Sequence, residues 1–237
     1  MLRRLQRAKA TPLTAPALRN AVVVMRADPS GYSLLDFPFL VGDPRLHDRV
    51  LYAVDRGPES VRLAQLFPTR RLYQFVQRTE PGHPLLKPSY IVEPMRIVSG
   101  APVHLRFEAT NSEKLPVVVA QVAINGRTVA TQVLDRSSHA GATSAFDVVL
   151  GTSATNSPAP RPATLFARVS RDAQVSVDVA FGPDADRGRA DIFERRYVVA
   201  RVGDGLAVQT PGLQYHRFDF GHVVWVRQDV EAHLAER

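Results

Sequence analysis

The sequence predicts an α+β protein: a small parallel α/β module followed by an antiparallel β-sandwich, jelly-roll or immunoglobulin-like. Two observations predict it. Apolar, β-branched runs at 21–25 and 49–54 precede a short helical pattern, which is the grammar of a strand–helix–strand unit. From Pro88 onward the apolar period becomes two and repeats over about ten short segments with turn signals between them. The expected divisions are a basic arm at 1–19, the module at 20–80 and the sandwich at 88–230.

Within the module, "AVVVM" (21–25) and "RVLYAV" (49–54) read as buried strands. The segment between them is rich in Pro, Gly and Asp and reads as a long loop. After Val54 comes "DRGPES": Gly57 allows a turn, Pro58 fits a first helical position, and Glu59 suits the positive end of the helix dipole. Val61, Ala64 and Phe67 recur at helical spacing until Pro68 stops them, and "RLYQFV" (71–76) resumes a strand. The simplest topology is a parallel sheet with right-handed crossovers.

In the sandwich, Val103, Leu105 and Phe107 alternate with His104, Arg106 and Glu108. Val175, Val177, Val179 and Phe181 alternate with Ser176, Asp178 and Ala180. Asn125-Gly126 joins two apolar runs, a strong hairpin signal. Further strands are expected at 90–98, 145–150, 163–169, 195–202, 205–209, 213–219 and 222–226, with a long polar loop at 151–162.

The net charge of +7 suggests nucleic acid until it is divided along the chain. Of the 30 basic residues, Arg3, Arg4, Arg7, Lys9, Arg19 and Arg26 precede the first acid, Asp28, so the other 24 face 23 acidic residues. Nucleic-acid affinity comes from a folded surface that neutralises many phosphates, so the nearly neutral body excludes that partner. The arm instead suits an anionic membrane surface, with Arg3, Arg4, Arg7 and Lys9 as its contacts; the competing reading is a solvated terminus. No apolar run is long enough to span a bilayer as a helix, and no signal-peptide hydrophobic region follows the first charges. With no cysteine, thiolate chemistry and disulfides are excluded.

Candidate chemistry is sparse. Asp55 and Gly57 lie where a strand end meets a helix start, a place that holds ligands in larger α/β sheets. No phosphate-cradling glycines accompany them, and local capping by Asp55 is the competing reading. Asp184, Asp186 and Asp191 offer oxygens at calcium-loop spacing, but Arg187 and Arg189 are interleaved and Arg195 stands at the twelfth position. Asp135, Ser137, Ser138 and His139 are triad types crowded into one loop, whereas a triad draws on separated elements. Tyr215 and Trp225 are candidate stacking platforms for a sugar, set against a core role. No cofactor is expected.

Residues 20–76 carry Phe37-Pro38-Phe39, Asp43-Pro44, the run from Arg49 to Asp55, Gly57, and the run from Pro68 to Tyr73. This pattern resembles the soluble tail that follows the last membrane span in prokaryotic glycosyltransferases of the dolichyl-phosphate-mannose mannosyltransferase superfamily. The membrane-embedded catalytic part of those enzymes is absent, and no catalytic residue can be carried over. The resemblance implies a detached tail, a fragment or a separate subunit at a membrane or cell envelope, with the basic arm as connector. The expected function is therefore a non-catalytic accessory or binding domain, partnered by a membrane surface or a membrane-embedded glycosyltransferase and by a polysaccharide or glycoprotein. One alternative is a free-standing carbohydrate-binding module. A second is an enzyme with a dispersed site around Asp36 and Asp55.

Overall fold

A computed structural model of the chain describes residues 18–25, 46–79, 88–111, 115–153, 163–183, 191–220, 223–227 and 234–236. The fold is α+β, with two compact units, Met1–Arg96 and Ile97–Arg237.

The first unit holds a four-stranded sheet of β1 (Ala21–Met25), β2 (Val50–Val54), β3 (Arg71–Thr79) and β4 (Pro88–Pro94), in the order β2-β1-β3-β4. β1 pairs in parallel with both β2 and β3. A strand between two parallel neighbours has both faces covered, and all five β1 residues are buried, which is why the run is apolar without alternation. β2 reaches β3 through a 3-10 turn, Gly57–Arg62, that continues into one α-helical turn, Leu63–Leu66. Val61 is buried, and the α-turn itself buries no residue. The core gathers Val23, Met25 and Phe75, with Tyr52 and Tyr73 packed against it.

Strand β4, which the change of period at Pro88 assigns to the sandwich, pairs antiparallel with β3, from Tyr73 opposite Pro94 to Thr79 opposite Pro88. The first sheet thus extends past residue 80. Alternation reports that a strand has one covered face; it carries no information on which sheet supplies the cover. Proline at both ends of β4 suits its edge position, where a missing N–H costs no ladder bond.

The second unit is a β-sandwich. One sheet has the order β10-β9-β6-β16, from β6 (Val103–Thr110), β9 (Thr143–Gly151), β10 (Thr164–Arg168) and β16 (Leu234–Glu236). The larger sheet runs β15-β14-β12-β11-β7-β8, from β7 (Val117–Ile124), β8 (Arg127–Asp135), β11 (Ala173–Gly182), β12 (Asp191–Val202), β14 (Leu213–Phe220) and β15 (Val223–Arg227). In that sheet β13 (Gly205–Thr210) also pairs with β12, and β5 (Arg96–Gly100) with β13. The inward residues of both sheets form one cluster, in which Phe107 of β6 stacks on Phe146 and meets the edge of Tyr197 of β12 at 6.1 Å.

The Asn125-Gly126 hairpin is present, with positive φ at both residues (49° and 79°), the backbone of a two-residue turn matched to strand twist. Asn125 Oδ1 accepts the Gln174 N–H at 2.9 Å and so ties this turn to β11. β9 and β10 are parallel neighbours, a departure from an all-antiparallel sandwich. Parallel neighbours need a connection of a dozen residues or so, and the polar stretch 151–162 supplies that length. β16 lies beyond the expected sandwich boundary at 230, and with three residues it is too short for any alternation to be read. Among the described residues, no helix is long and apolar enough to cross a membrane.

Candidate functional site

The outward face of the larger sheet carries the site. On β11, Val175, Val177 and Val179 are taken by the core, so Gln174, Ser176 and Asp178 fall on the other face. Strand pairing then lines up residues far apart in sequence. Gln121 of β7 sits opposite Asp178, Asp178 opposite Glu194 of β12, and Glu194 opposite Tyr215 of β14. One step along the strands, Ala123, Ser176 and Arg196 form a second row.

These polar side chains are deeply set. Gln121 is 6% exposed, and Asp178 and Glu194 are each 3% exposed. Two carboxylates facing one another across a strand pair repel, and Arg196 supplies the compensating charge. Its Nε donates to Glu194 Oε1 at 2.5 Å and its Nη2 to Oε2 at 3.2 Å, a two-pronged pair. The guanidinium carbon lies 4.2 Å from the centre of the Tyr215 ring, a cation–π contact. Burial works to lower the pKa of Arg196. The hydrogen bonds and charge of Glu194, with smaller contributions from Tyr215 and Asp178, outweigh it and leave the pKa above its ordinary value.

Beside this pair, Gln121, Ala123, Gly126, Thr128, Gln174 and Ser176, with Asp178, Glu194 and Arg196, line an open recess of about 270 Å³. Gln121 Nε2 donates to Thr128 Oγ1, while Gln121 Oε1 has no hydrogen-bond partner among the described residues. The arrangement offers fixed hydrogen-bond acceptors and one held cation, which suits binding of a polar ligand. Among the described residues there is no cluster of three or more His, Asp or Glu fit to hold a metal ion.

The residues singled out from sequence fall in different places. Asp55 follows β2, and its Oδ1 accepts both the Gly57 N–H at 2.9 Å and the Ser60 hydroxyl at 2.7 Å; the Ser60 oxygen in turn accepts the Arg56 N–H. That carboxylate is occupied in shaping the turn, the local reading set against the ligand-holding one. Gly57 has φ +66°, which only a residue without a Cβ adopts at no steric cost.

Tyr215 does belong to the site, but at 4% exposure beneath Arg196 its ring has no open face for a sugar to stack on. It serves as the seat of the guanidinium instead. The backbone of Trp225 pairs with Phe218, and its side chain lies outside the described residues. Arg3, Arg4, Arg7, Lys9, Asp36, Asp184 and Asp186 also lie outside them, and of Asp191 only the start of β12 is described.

In the triad-type loop, Asp135 Oδ1 accepts the Ser137 N–H at 2.9 Å, and that backbone bond holds the exposed carboxyl below the usual range. The Ser138 hydroxyl accepts from Asn111 Nδ2, which is fully buried and also donates to the Leu115 carbonyl. These residues close a loop. They do not converge on a substrate position.

Gln121, Asp178, Glu194 and Arg196 do not stand out in the sequence as a site. The available signal was a carboxylate on each of two strands, "QVSVDVAF" and "IFERRYVV", that are otherwise apolar or alternating. A charge on the outward face of an interior strand needs a partner in the neighbouring strand, but the neighbour is known only once the sheet is assembled.

Residues 21–193 match the model of a family described as a domain of unknown function, DUF7846. The matched span runs from the first residue of β1 into β12. It includes Gln121, Thr128, Ser176 and Asp178, and ends just before Glu194. No curated protein and no solved structure matches the chain.

Proposed function

The chain belongs to the DUF7846 family, and for this member we propose a non-catalytic binding domain. Its β-sandwich receives a polyhydroxylated ligand, a glycan, in the recess over β7, β11 and β12. In this reading the domain works in an accessory role beside a membrane glycosyltransferase of the cell envelope. The observation that carries it is the polar row itself: buried acceptors on Gln121, Asp178 and Glu194 and a guanidinium fixed by Glu194 and Tyr215. Sugar hydroxyls both donate and accept, and a rigid set of amide, carboxylate and guanidinium groups recognises them with little ordering cost. The glycosyltransferase setting is supported by the resemblance of residues 20–76 to the tails of such enzymes.

The test is binding of the purified chain to an array of envelope polysaccharides and simple sugars, repeated with Ser176→Trp. Ser176 lines the recess on an exterior strand face, so a large side chain there fills the space. Glycan binding that the variant loses supports the reading. Binding unaffected by the variant moves the site elsewhere, and absence of binding to any glycan removes it.

A further inference from the structure

We infer that the edge of β6 is a strand-receiving site for a second copy of this chain, with β16 as the element exchanged: the β16 of one copy leaves its own β6 and pairs with the β6 of the other. The inference does not rest on the glycan reading.

The slot is specific for what fills it. β16 pairs antiparallel with β6, with Leu234 opposite Ala109, Ala235 opposite Glu108 and Glu236 opposite Phe107. One carboxylate oxygen, Glu236 Oε2, accepts the Tyr197 hydroxyl at 2.9 Å and the Gly212 N–H at 3.2 Å. Tyr197 is fully buried in the core and Gly212 directly precedes β14, so both donors belong to the sandwich and neither to β16. Two donors converging on one oxygen select a carboxylate at that register position. A strand from another protein would have to reproduce that carboxylate, whereas a second copy of this chain has it by identity.

The hold on β16 is local. It is three residues long and has a neighbour on one side only, so it opens at far lower free energy than the interior strands. By contrast β6 has eight residues, of which β16 covers Phe107, Glu108 and Ala109. The stretch 103–106 has no strand on that side among the described residues, and an open edge is a template for a strand from another chain. An incoming strand gains its foothold there while the resident one is still seated. Six residues, 228–233, separate β15 from β16 in the sequence. Exchange keeps every pairing of β16 and both bonds of Glu236 and reroutes only that short connection, so no new interface has to be built.

The experiment exploits the absence of cysteine, which makes introduced thiols the only ones. Full chain carrying Glu108→Cys is mixed with full chain carrying Ala235→Cys under mild oxidation, and linked peptides are identified by mass spectrometry. The two substitutions placed in one chain check that the pair can close. A disulfide between position 108 of one copy and position 235 of the other is expected, because those positions are directly opposed. His104→Cys, on the same exposed face of β6 but not opposite β16, is expected to give at least about tenfold less linkage, which separates register pairing from chance collision. With Tyr197→Phe added to both partners, linkage is expected to form about tenfold faster, since a charge-assisted bond no longer holds β16 shut. Linkage at 108 in that excess over 104 upholds the exchange, and sedimentation equilibrium of the unmodified chain then reads how much dimer it supports. Linkage no more frequent at 108 than at 104, or none between copies, overturns it and leaves β16 a fixed strand of its own sandwich. An unchanged rate with Tyr197→Phe overturns the part given to the carboxylate.

Discussion

The hydroxyl of Tyr197 donates to Oε2 of Glu236 at 2.9 Å, joining the core of the larger sheet to the last strand of the other. Tyr197 is fully buried, and the same carboxylate oxygen accepts the Gly212 N–H at 3.2 Å. A bond to a charged group at such a site contributes more than a neutral one, so Tyr197→Phe is expected to lower unfolding free energy by about 1.5–3 kcal/mol. Gly212→Ala is expected to cost about 1–3 kcal/mol by a different route, because its Cβ would lie 2.7 Å from the Tyr197 ring. Urea unfolding checks both.

The Arg196–Glu194 pair separates two kinds of loss. Arg196→Ala leaves a carboxylate at 3% exposure without its bidentate partner, and a cost of about 3–5 kcal/mol is expected. The double variant Arg196→Met with Glu194→Leu removes both charges together and is expected to recover most of that loss. Chemical denaturation of the two proteins side by side gives the comparison.

Ser60 sits at the centre of the Asp55 turn, donating to Asp55 Oδ1 and accepting from the Arg56 N–H. Ser60→Ala removes both bonds, with an expected cost of about 1–2 kcal/mol. Asp55→Asn keeps an oxygen for the Gly57 N–H and is expected to leave sugar binding unchanged. A change in sugar affinity in that variant would return the turn to the list of binding elements.

Burial raises the pKa of Tyr52 above its ordinary 10.0. A group that holds its proton more tightly when folded contributes stability that is complete below the unfolded pKa and is lost as pH rises through the folded one. The protein is therefore expected to lose stability above about pH 10 more steeply than Tyr52→Phe, and urea midpoints measured from pH 8 upward would show the two curves diverging.

Much of the local structure is legible in the residues themselves. "AVVVM" announces a strand covered on both faces, and β1 is that strand. Asn125-Gly126 announces a two-residue hairpin because few other pairs adopt positive φ at both positions without strain. Gly57-Pro58 announces a helix start, although the Asp55–Ser60 bond accompanies a 3-10 turn and little true α-helix. The site was less legible. Tyr215 stands out in the sequence for its aromatic ring and belongs to the site as the seat of Arg196, whereas Asp178 reads as an ordinary outward residue of an alternating strand.

By itself, then, the sequence determined the periods, the turns and which face of each strand is apolar, since these follow from dihedral preferences and side-chain alternation within a few residues. Only the tertiary structure decided that β4 joins the first sheet, that β16 pairs with β6, and that Gln121, Asp178, Glu194 and Tyr215 stand in one row. Those outcomes depend on register between strands separated by tens of residues. A slip of one position would turn every side chain of a strand to the opposite face, and what prevents the slip is burial of the shared core.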